Sequence, residues 1–291
     1  MNVLIESVAV LGLGGMGGGM ARALLHAGLT VTVFNRSAEK AQPLVRDGAR
    51  LARSAGDAGA KAGLLVLSLA DEESVEELLF GEVLPWLQPG TIVVDTTTVS
   101  PLYARDAAAR LDAVGVERLE ACVVGNPDMA SAGQLRIFTA GRKSTLDTAE
   151  PVLSVLAQEI RYLGGAGRAS ALKLALNLLL GIQTVGLAEA ADFADAAGLG
   201  RELLLDVVLS SGWRSPVLAY RAEFMRRRVY QPAGFRTTLM HKDLDLAMRQ
   251  AQDYRIELPL VRQAARRFET AIERGRGAED AAAVMEVAAQ A

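Results

Sequence analysis

Short apolar runs alternate with longer amphipathic stretches through the first half of the chain. Ser7 to Leu11 is apolar and ends on Gly12, Thr30 to Phe34 is β-branched, and Gly63 to Leu69, Thr91 to Asp95 and Ile137 to Ala140 repeat the theme. Apolar runs of this length between turn signals predict strands. Between them, Met16 to Ala27, Ala38 to Asp47, Glu73 to Phe80 and Pro101 to Ala113 predict helices. The third places acids in its first turn, where the helix dipole favours them. Strands alternating with helices predict a parallel sheet covered on both faces, a doubly wound α/β arrangement. From about Arg168 strand signals largely stop. Helical periodicity then runs on, with Pro216, Pro232 and Pro259 marking helix breaks or starts. Gly164-Gly165-Ala166-Gly167 punctuates the change and predicts a hinge. The expected architecture is an α/β domain over 1–165 followed by an all-α domain over 166–291, with small ligands expected in the crevice between domains.

Lys173 departs from this pattern. It lies in Ala171-Leu172-Lys173-Leu174-Ala175-Leu176-Asn177, at the start of a stretch that carries no charge from Leu174 to Ala188. Desolvation there disfavours the charged amine. Asn177 follows one helical turn later on the same face. An ammonium beside a neutral amide on an apolar wall suits proton donation to a bound substrate. The competing reading is that Lys173 snorkels to water along its own methylenes.

With 291 residues, 51% hydrophobic and 22% charged, the chain is globular and long enough for two domains. A net charge of -3 gives no electrostatic case for nucleic acid or an anionic membrane. The single cysteine, Cys122, excludes an internal disulfide, and no secretory signal pattern is evident, so a cytoplasmic location is expected. The apolar stretch after Lys173 is interrupted by Asn177, Gln183, Thr184 and two glycines; it reads as a core helix too short to span a bilayer. Its apolar surface exceeds what a small helical domain readily buries, which predicts a homodimer or homotetramer. Two histidines, His26 and His241, and one cysteine without metal-ligand spacing give no metal site. His241, beside Lys242-Asp243, reads equally as a pocket neighbour or a capped surface group. Trp213 reads as core, Arg214 as a candidate carboxylate clamp, and Arg226-Arg227-Arg228 as a solvated face.

Val8-Ala9-Val10-Leu11-Gly12-Leu13-Gly14-Gly15-Met16-Gly17 is a strand running into G-x-G-x-x-G and then a helix. The first glycine permits the tight turn, the second a close backbone approach to a pyrophosphate, and the third close helix–strand packing. This frame predicts a Rossmann dinucleotide site built on Gly12, Leu13, Gly14, Gly15, Met16 and Gly17, with Leu69 nearby. At the end of the second strand stand Phe34-Asn35-Arg36-Ser37, with Lys40 following and no carboxylate for a ribose 2′-hydroxyl. Arg36 can accept a 2′-phosphate in a fork, and Asn35, Ser37 and Lys40 can add donors. The expected cofactor is NADP.

Several motifs in order resemble the β-hydroxyacid dehydrogenase family, which includes 3-hydroxyisobutyrate dehydrogenases and glyoxylate/succinic semialdehyde reductases. Besides the glycine loop, Asp95-Thr96-Thr97-Thr98-Val99-Ser100-Pro101 is similar to the family's D-x-S-T-x-S-P segment. The resemblance there implies Thr98 near nicotinamide and substrate. Gly167 to Asn177 is similar to its G-x(5)-K-x-x-x-N helix, which implies Lys173 as catalytic acid/base with Asn177 beside it. Lys242-Asp243-Leu244-Asp245-Leu246-Ala247 resembles K-D-L-x-L-A, implying Lys242 at the cofactor and Asp243 at the pocket. Phe235 is similar to a substrate-lining aromatic of the glyoxylate reductase branch.

One segment departs. Where the family reads D-A-P-V-S-G-G, this chain reads Glu120-Ala121-Cys122-Val123-Val124-Gly125-Asn126. Val124 stands in place of the serine that holds a substrate carboxylate. Donors must then come from Gly125, Asn126 or Thr98, because losing one bond to a charged acceptor costs about 1.5–3 kcal/mol unless it is replaced. Val124, Gly125 and Asn126 therefore join Thr98, Phe235 and Asp243 as candidate substrate residues. The same loop, with Pro127-Asp128-Met129, leans toward imine reductases and reductive aminases, which usually carry Asp or Tyr where this chain keeps Lys173. The resemblance implies hydride transfer between NADP(H) and a small aldehyde, oxo acid or β-hydroxy acid. Imine reduction and a non-catalytic nucleotide-binding oligomerisation module are the alternatives.

Overall fold

A computed structural model describes residue 5 and residues 7–287, so the outermost residues of both expected domains lie outside the described residues. The chain forms two compact units that divide between Lys173 and Leu174.

In the first unit, β1 (Ser7–Leu11), β2 (Thr30–Phe34), β3 (Arg50–Leu51), β4 (Leu64–Leu67), β5 (Ile92–Asp95), β6 (Glu117–Val124), β7 (Leu135–Ala140) and β8 (Ala157–Tyr162) form one sheet. Its order is β3-β2-β1-β4-β5-β6-β7-β8. Helices α1 (Gly15–His26), α2 (Gln42–Arg46), α3 (Ala55–Gly59), α4 (Glu72–Val75), α5 (Pro101–Asp112), α6 (Pro127–Ser131) and α7 (Lys143–Leu156) connect the strands. Both sheet faces are buried, as parallel strands require. Val8, Val10, Leu64 and Val66 pack on one face with Met20, Leu24 and Leu153. Ala9, Leu11, Leu65 and Leu67 pack on the other with Leu79, Val83 and Leu111.

The sheet is not wholly parallel. Pairing is parallel from β3 through β6, antiparallel between β6 and β7, and parallel again between β7 and β8. Strand β6 carries Glu117, Arg118 and Glu120 among its apolar residues, a mixture that reads poorly as an interior strand. Arg118 and Glu120 are nevertheless buried, because polar partners inside the fold hold them: Asp95 for Arg118, backbone N–H groups and a hydroxyl for Glu120. Strand β8 holds Glu159 and Arg161 at the open edge of the sheet, where charged side chains are tolerated. The helix expected over Glu73 to Phe80 begins as α4 and continues in wider π-helical turns over Glu76–Val83.

Helix α8 (Arg168–Ala196) begins in the first unit and continues into the second for a total of 29 residues. By length and composition alone it could cross a bilayer, so the expectation that its polar interruptions make it too short does not hold. Val185, Leu187, Ala188 and Ala191 are instead buried in the core of the second unit, with Leu205, Met225, Met240, Leu244 and Phe268. Helices α9 (Arg201–Ser210), α10 (Pro216–Arg227), α11 (Thr237–Tyr254) and α12 (Pro259–Ala271) complete that unit's long helices. Pro216 and Pro259 each sit in a helical first turn, where the missing N–H costs nothing. Trp213 is 77% exposed, which corrects its reading as a core residue. Sequence alone places an aromatic inside by default, but here the short turn between α9 and α10 carries it outward. Arg214 is exposed as well, and so are Arg226, Arg227 and Arg228.

Asp280 is the polar centre of the second unit. Fully buried, its carboxylate accepts from the Gly234, Phe235 and Ala282 N–H groups, each at 3.0 Å, and from the Arg221 guanidinium. Asp280→Ala strands both the Arg221 charge and these N–H donors. It is expected to lower unfolding free energy by about 3–5 kcal/mol in urea titrations; a variant as stable as the parent would contradict this account.

Candidate active site

Strand β1 runs into the glycine loop through Gly12, whose φ is +89° and where a Cβ would stand 2.3 Å from the Ser68 carbonyl oxygen. At Gly17 a Cβ would stand 1.9 Å from the Gly12 carbonyl oxygen. Packing alone therefore dictates both glycines. At Gly14, by contrast, a Cβ would meet nothing within 4 Å. That open space lies at the first turn of α1, which has neither a side-chain cap nor an acidic residue. Its first N–H groups lack intrahelical partners and stand at the positive end of the dipole. The loop fits the pyrophosphate of a dinucleotide. Behind it, a Cβ at Gly15 would stand 2.9 Å from Pro127, and one at Gly19 2.8 Å from Ala130, so α6 packs directly against α1.

Asn35 has a structural role. Its Oδ1 accepts from the Leu13 N–H at 2.8 Å and its Nδ2 donates to the Ser37 carbonyl at 3.1 Å. Both amide functions tie the glycine loop to the end of β2, so Asn35 braces the loop. Arg36, Ser37 and Lys40 are exposed beyond it. Leu69 lines the turn after β4, held by its N–H to Thr97 Oγ1 at 3.1 Å, and its Cδ2 approaches the space over Gly12. Thr96 Oγ1 donates to the Leu67 carbonyl at 2.6 Å, which leaves Thr98 half-buried at the end of this turn.

A line of buried charge runs from β5 into β6. Arg118 donates to Asp95 at 2.8 Å and to the Ala104 carbonyl at 3.0 Å. Burial pulls the Arg118 guanidinium down, but the Asp95 and Glu120 carboxylates outweigh it and hold the group above its ordinary value. Glu120 receives the Gly167 N–H, the Ser170 N–H at 2.9 Å and the Ser170 hydroxyl at 2.8 Å. Lys173 Nζ, half-buried, donates to the Val123 carbonyl at 2.9 Å. Burial, assisted by Glu120, pushes the Cys122 thiol up to about 12, so it is a neutral packing group.

Past β6, Gly125 takes φ +152°, and a Cβ there would stand 2.7 Å from Leu135 Cδ2. Asn126 caps α6, its Oδ1 accepting from the Met129 N–H at 2.9 Å. The Asn126 amide nitrogen is its remaining donor. Val124 is half-buried between Cys122 and this turn.

The second unit holds the other candidates. Asn177, 4% exposed, donates its Nδ2 to Asp243 Oδ2, while Lys242 Nζ lies 2.8 Å from Asp243 Oδ1. The Phe235 N–H is one of those held by Asp280. His241 pairs with Asp245 at 3.4 Å, in line with a capped surface group. Sequence reasoning missed Arg118, Glu120, Ser170 and Asp280. The carboxylate preceding the apolar run Ala121 to Val124 is a signal for Glu120, and an acid directly before the helical turn Ala281–Glu286 is a capping signal for Asp280.

Residues 7–164 match the family described as the NAD binding domain of 6-phosphogluconate dehydrogenase. Residues 167–288 match the one described as NAD-binding of NADP-dependent 3-hydroxyisobutyrate dehydrogenase. An uncharacterized oxidoreductase of Bacillus subtilis is 35% identical, spanning 96% of this chain and 98% of its own. The 2-(hydroxymethyl)glutarate dehydrogenase of Eubacterium barkeri is 31% identical over 96% of this chain and 94% of its own. The crystal structure of 3-hydroxyisobutyrate dehydrogenase from Salmonella typhimurium superposes with TM-score 0.91 at 29% identity, covering 97% of this chain and 99% of that one. A reductive aminase from Aspergillus terreus, in complex with NADPH and ethyl levulinate, superposes with TM-score 0.64 at 27% identity, covering 97% and 99%. With both halves of the sequence matched and relatives above 30% identity along nearly their whole length, the chain belongs to the β-hydroxyacid dehydrogenase family, nicotinamide-dependent oxidoreductases that act on hydroxyl or carbonyl groups.

Proposed function

We propose that the chain interconverts a small aldehyde or oxo acid with its hydroxy counterpart using NADP(H), with Lys173 as the acid/base. The observation that carries this reading is the placement of Lys173: half-buried, with its Nζ donating to the Val123 carbonyl at 2.9 Å. The carbonyl orients the amine, and an ammonium so oriented can give a proton to an oxygen that is becoming an alkoxide. In the oxidative direction the neutral amine takes the hydroxyl proton. The bound nicotinamide supplies or takes the hydride equivalent. Asn177, whose amide nitrogen is committed to Asp243, offers an acceptor oxygen and so suits a substrate hydroxyl.

Asn35 rather than a carboxylate directly follows β2, and the exposed Arg36, Ser37 and Lys40 beyond it support NADP over NAD. The NADPH bound by the Aspergillus reductive aminase supports the same choice. Val124 and the likeness to that enzyme favour imine reduction as a second reading, which the retention of Lys173 outweighs. Leu179 and Phe193 on α8 and Leu203 and Val207 on α9 are 57%, 77%, 53% and 46% exposed, an apolar area that a second copy of the chain would cover.

Lys173→Ala is expected to cut turnover by at least about 100-fold, with NADPH binding unchanged. NADPH oxidation over semialdehydes, glyoxylate and cyclic imines checks this; wild-type turnover in the variant, or consumption of imines alone, would sink the reading. Arg36→Glu removes a charged phosphate contact and should raise the Michaelis constant for NADPH about tenfold or more while leaving that for NADH nearly unchanged. Equal effects on the two cofactors would exclude 2′-phosphate recognition. Sedimentation should give a dimer or tetramer, and Phe193→Glu should shift it toward the 30.8 kDa monomer; a monomeric parent would refute self-association.

A further inference from the structure

We propose that Glu120 is the positioning residue for Lys173, locking the helix that carries the amine to strand β6. The proposal rests on the acid/base reading of Lys173 and deepens it.

Glu120 is 1% exposed, and both of its oxygens are spent on the start of α8. Oε1 accepts the Gly167 N–H, and Oε2 accepts the Ser170 N–H and hydroxyl at 2.9 and 2.8 Å. These N–H groups belong to a helical start, where no intrahelical acceptor exists and the dipole favours a negative charge. The same strand holds the same helix a second time, through the Val123 carbonyl and Lys173 Nζ. The two contacts are matched in length. Three residues of strand, Glu120 to Val123, advance roughly 10 Å. The six residues of helix from Gly167 to Lys173 advance roughly 9 Å. Ser170 precedes Lys173 by three residues and so lies on the same helical face. Strand and helix are clipped together at both ends of one segment, and the amine stands at the far clip.

The clip is itself held in place. Arg118, two residues before Glu120 and on the same side of the strand, is fixed by Asp95 and by the Ala104 carbonyl. Gly167 cannot carry a side chain, because a Cβ there would stand 2.6 Å from Arg105 Nη1 and 2.9 Å from the Pro101 carbonyl oxygen. The helix start is therefore pressed on one side by α5 and held on the other by Glu120. With both carboxylate oxygens bonded to the start of α8, Glu120 acts on the reaction through the helix.

A role in stability alone and a role in positioning give different kinetics. The full-length chain is assayed as Glu120→Gln, Ser170→Ala, Lys173→Ala and Glu120→Gln/Lys173→Ala, with melting temperature and NADPH binding by fluorescence measured for each. Glu120→Gln presents an amide N–H to the helix donors. It should lower kcat about tenfold or more while NADPH affinity stays within about twofold. In the Lys173→Ala background the same change should cost no further turnover. Ser170→Ala, which removes one hydroxyl and leaves the carboxylate, should lower kcat by about threefold with an unchanged melting temperature, and again only when Lys173 is present. An unchanged kcat in Glu120→Gln, or an equal loss with and without Lys173, would overturn the proposal. Where Glu120→Gln does not fold, Ser170→Ala decides by the same criterion. Full turnover by Lys173→Ala alone would instead overturn the acid/base reading, so the two failures are separable.

Discussion

A carboxylate at 1% exposure in the middle of a sheet is held in place only if every oxygen has a donor, and Glu120 meets that condition with donors from a helix rather than from its own sheet. Replacing buried ion networks by well-packed apolar residues is often neutral or stabilising, so stability alone does not account for Asp95, Arg118 and Glu120 on adjacent strands. What such a network supplies is a fixed geometry. It lies where β6 ends the parallel run and meets the antiparallel β7, and it is where α8 leaves the first unit. The start of the long helix, and with it the placement of Lys173, is held by this carboxylate.

The glycine loop, at the same carboxyl edge of the sheet, follows a similar logic. Gly12 and Gly17 are required by neighbouring backbone, whereas Gly14 faces open space. A side chain at the first two positions would break the fold, and one at Gly14 would only fill the space in front of the helix N-terminus. The same motif thus contains glycines of two kinds, two that packing requires and one that it does not. Asn35 joins them to the segment after β2: with its oxygen on the Leu13 N–H and its nitrogen on the Ser37 carbonyl, it holds the glycine loop and the Arg36 turn as a single piece.

Much of this was legible in the chain. β1, β2, β4 and β5 are apolar runs between turn signals, and the change to helices after Arg168 is plain in the pattern. Strands β6 and β8 were not legible, because their charged residues are satisfied by partners distant in sequence or by an open edge. For Glu120 those partners lie 47 and 50 residues away, beyond any local window. The length of α8 misled in the same manner: its polar residues suggested interruptions, but Thr184 satisfies its hydroxyl on the Leu180 carbonyl at 2.7 Å and Asn177 turns to Asp243. Trp213 failed for the opposite reason, since hydrophobicity alone does not say that a turn faces outward.

The loop after β6 separates shape from selectivity. Its path is fixed from below, by Leu135 and Met129 against Gly125 and by the Asn126 cap on α6. None of these contacts involves the side chain at 124. A serine or a valine there leaves the backbone where it is, so the N–H groups of Gly125 and Asn126 keep their positions whichever residue is present. Only the hydroxyl donor is gained or lost, a difference of about 1.5–3 kcal/mol toward a charged acceptor. Under the proposed function, changing the preference between carboxylate-bearing and less polar substrates therefore requires no change in fold, in the glycine loop or in the support of Lys173. That independence accounts for a chain whose loop leans toward the reductive aminases while its helix keeps the lysine of the hydroxyacid dehydrogenases.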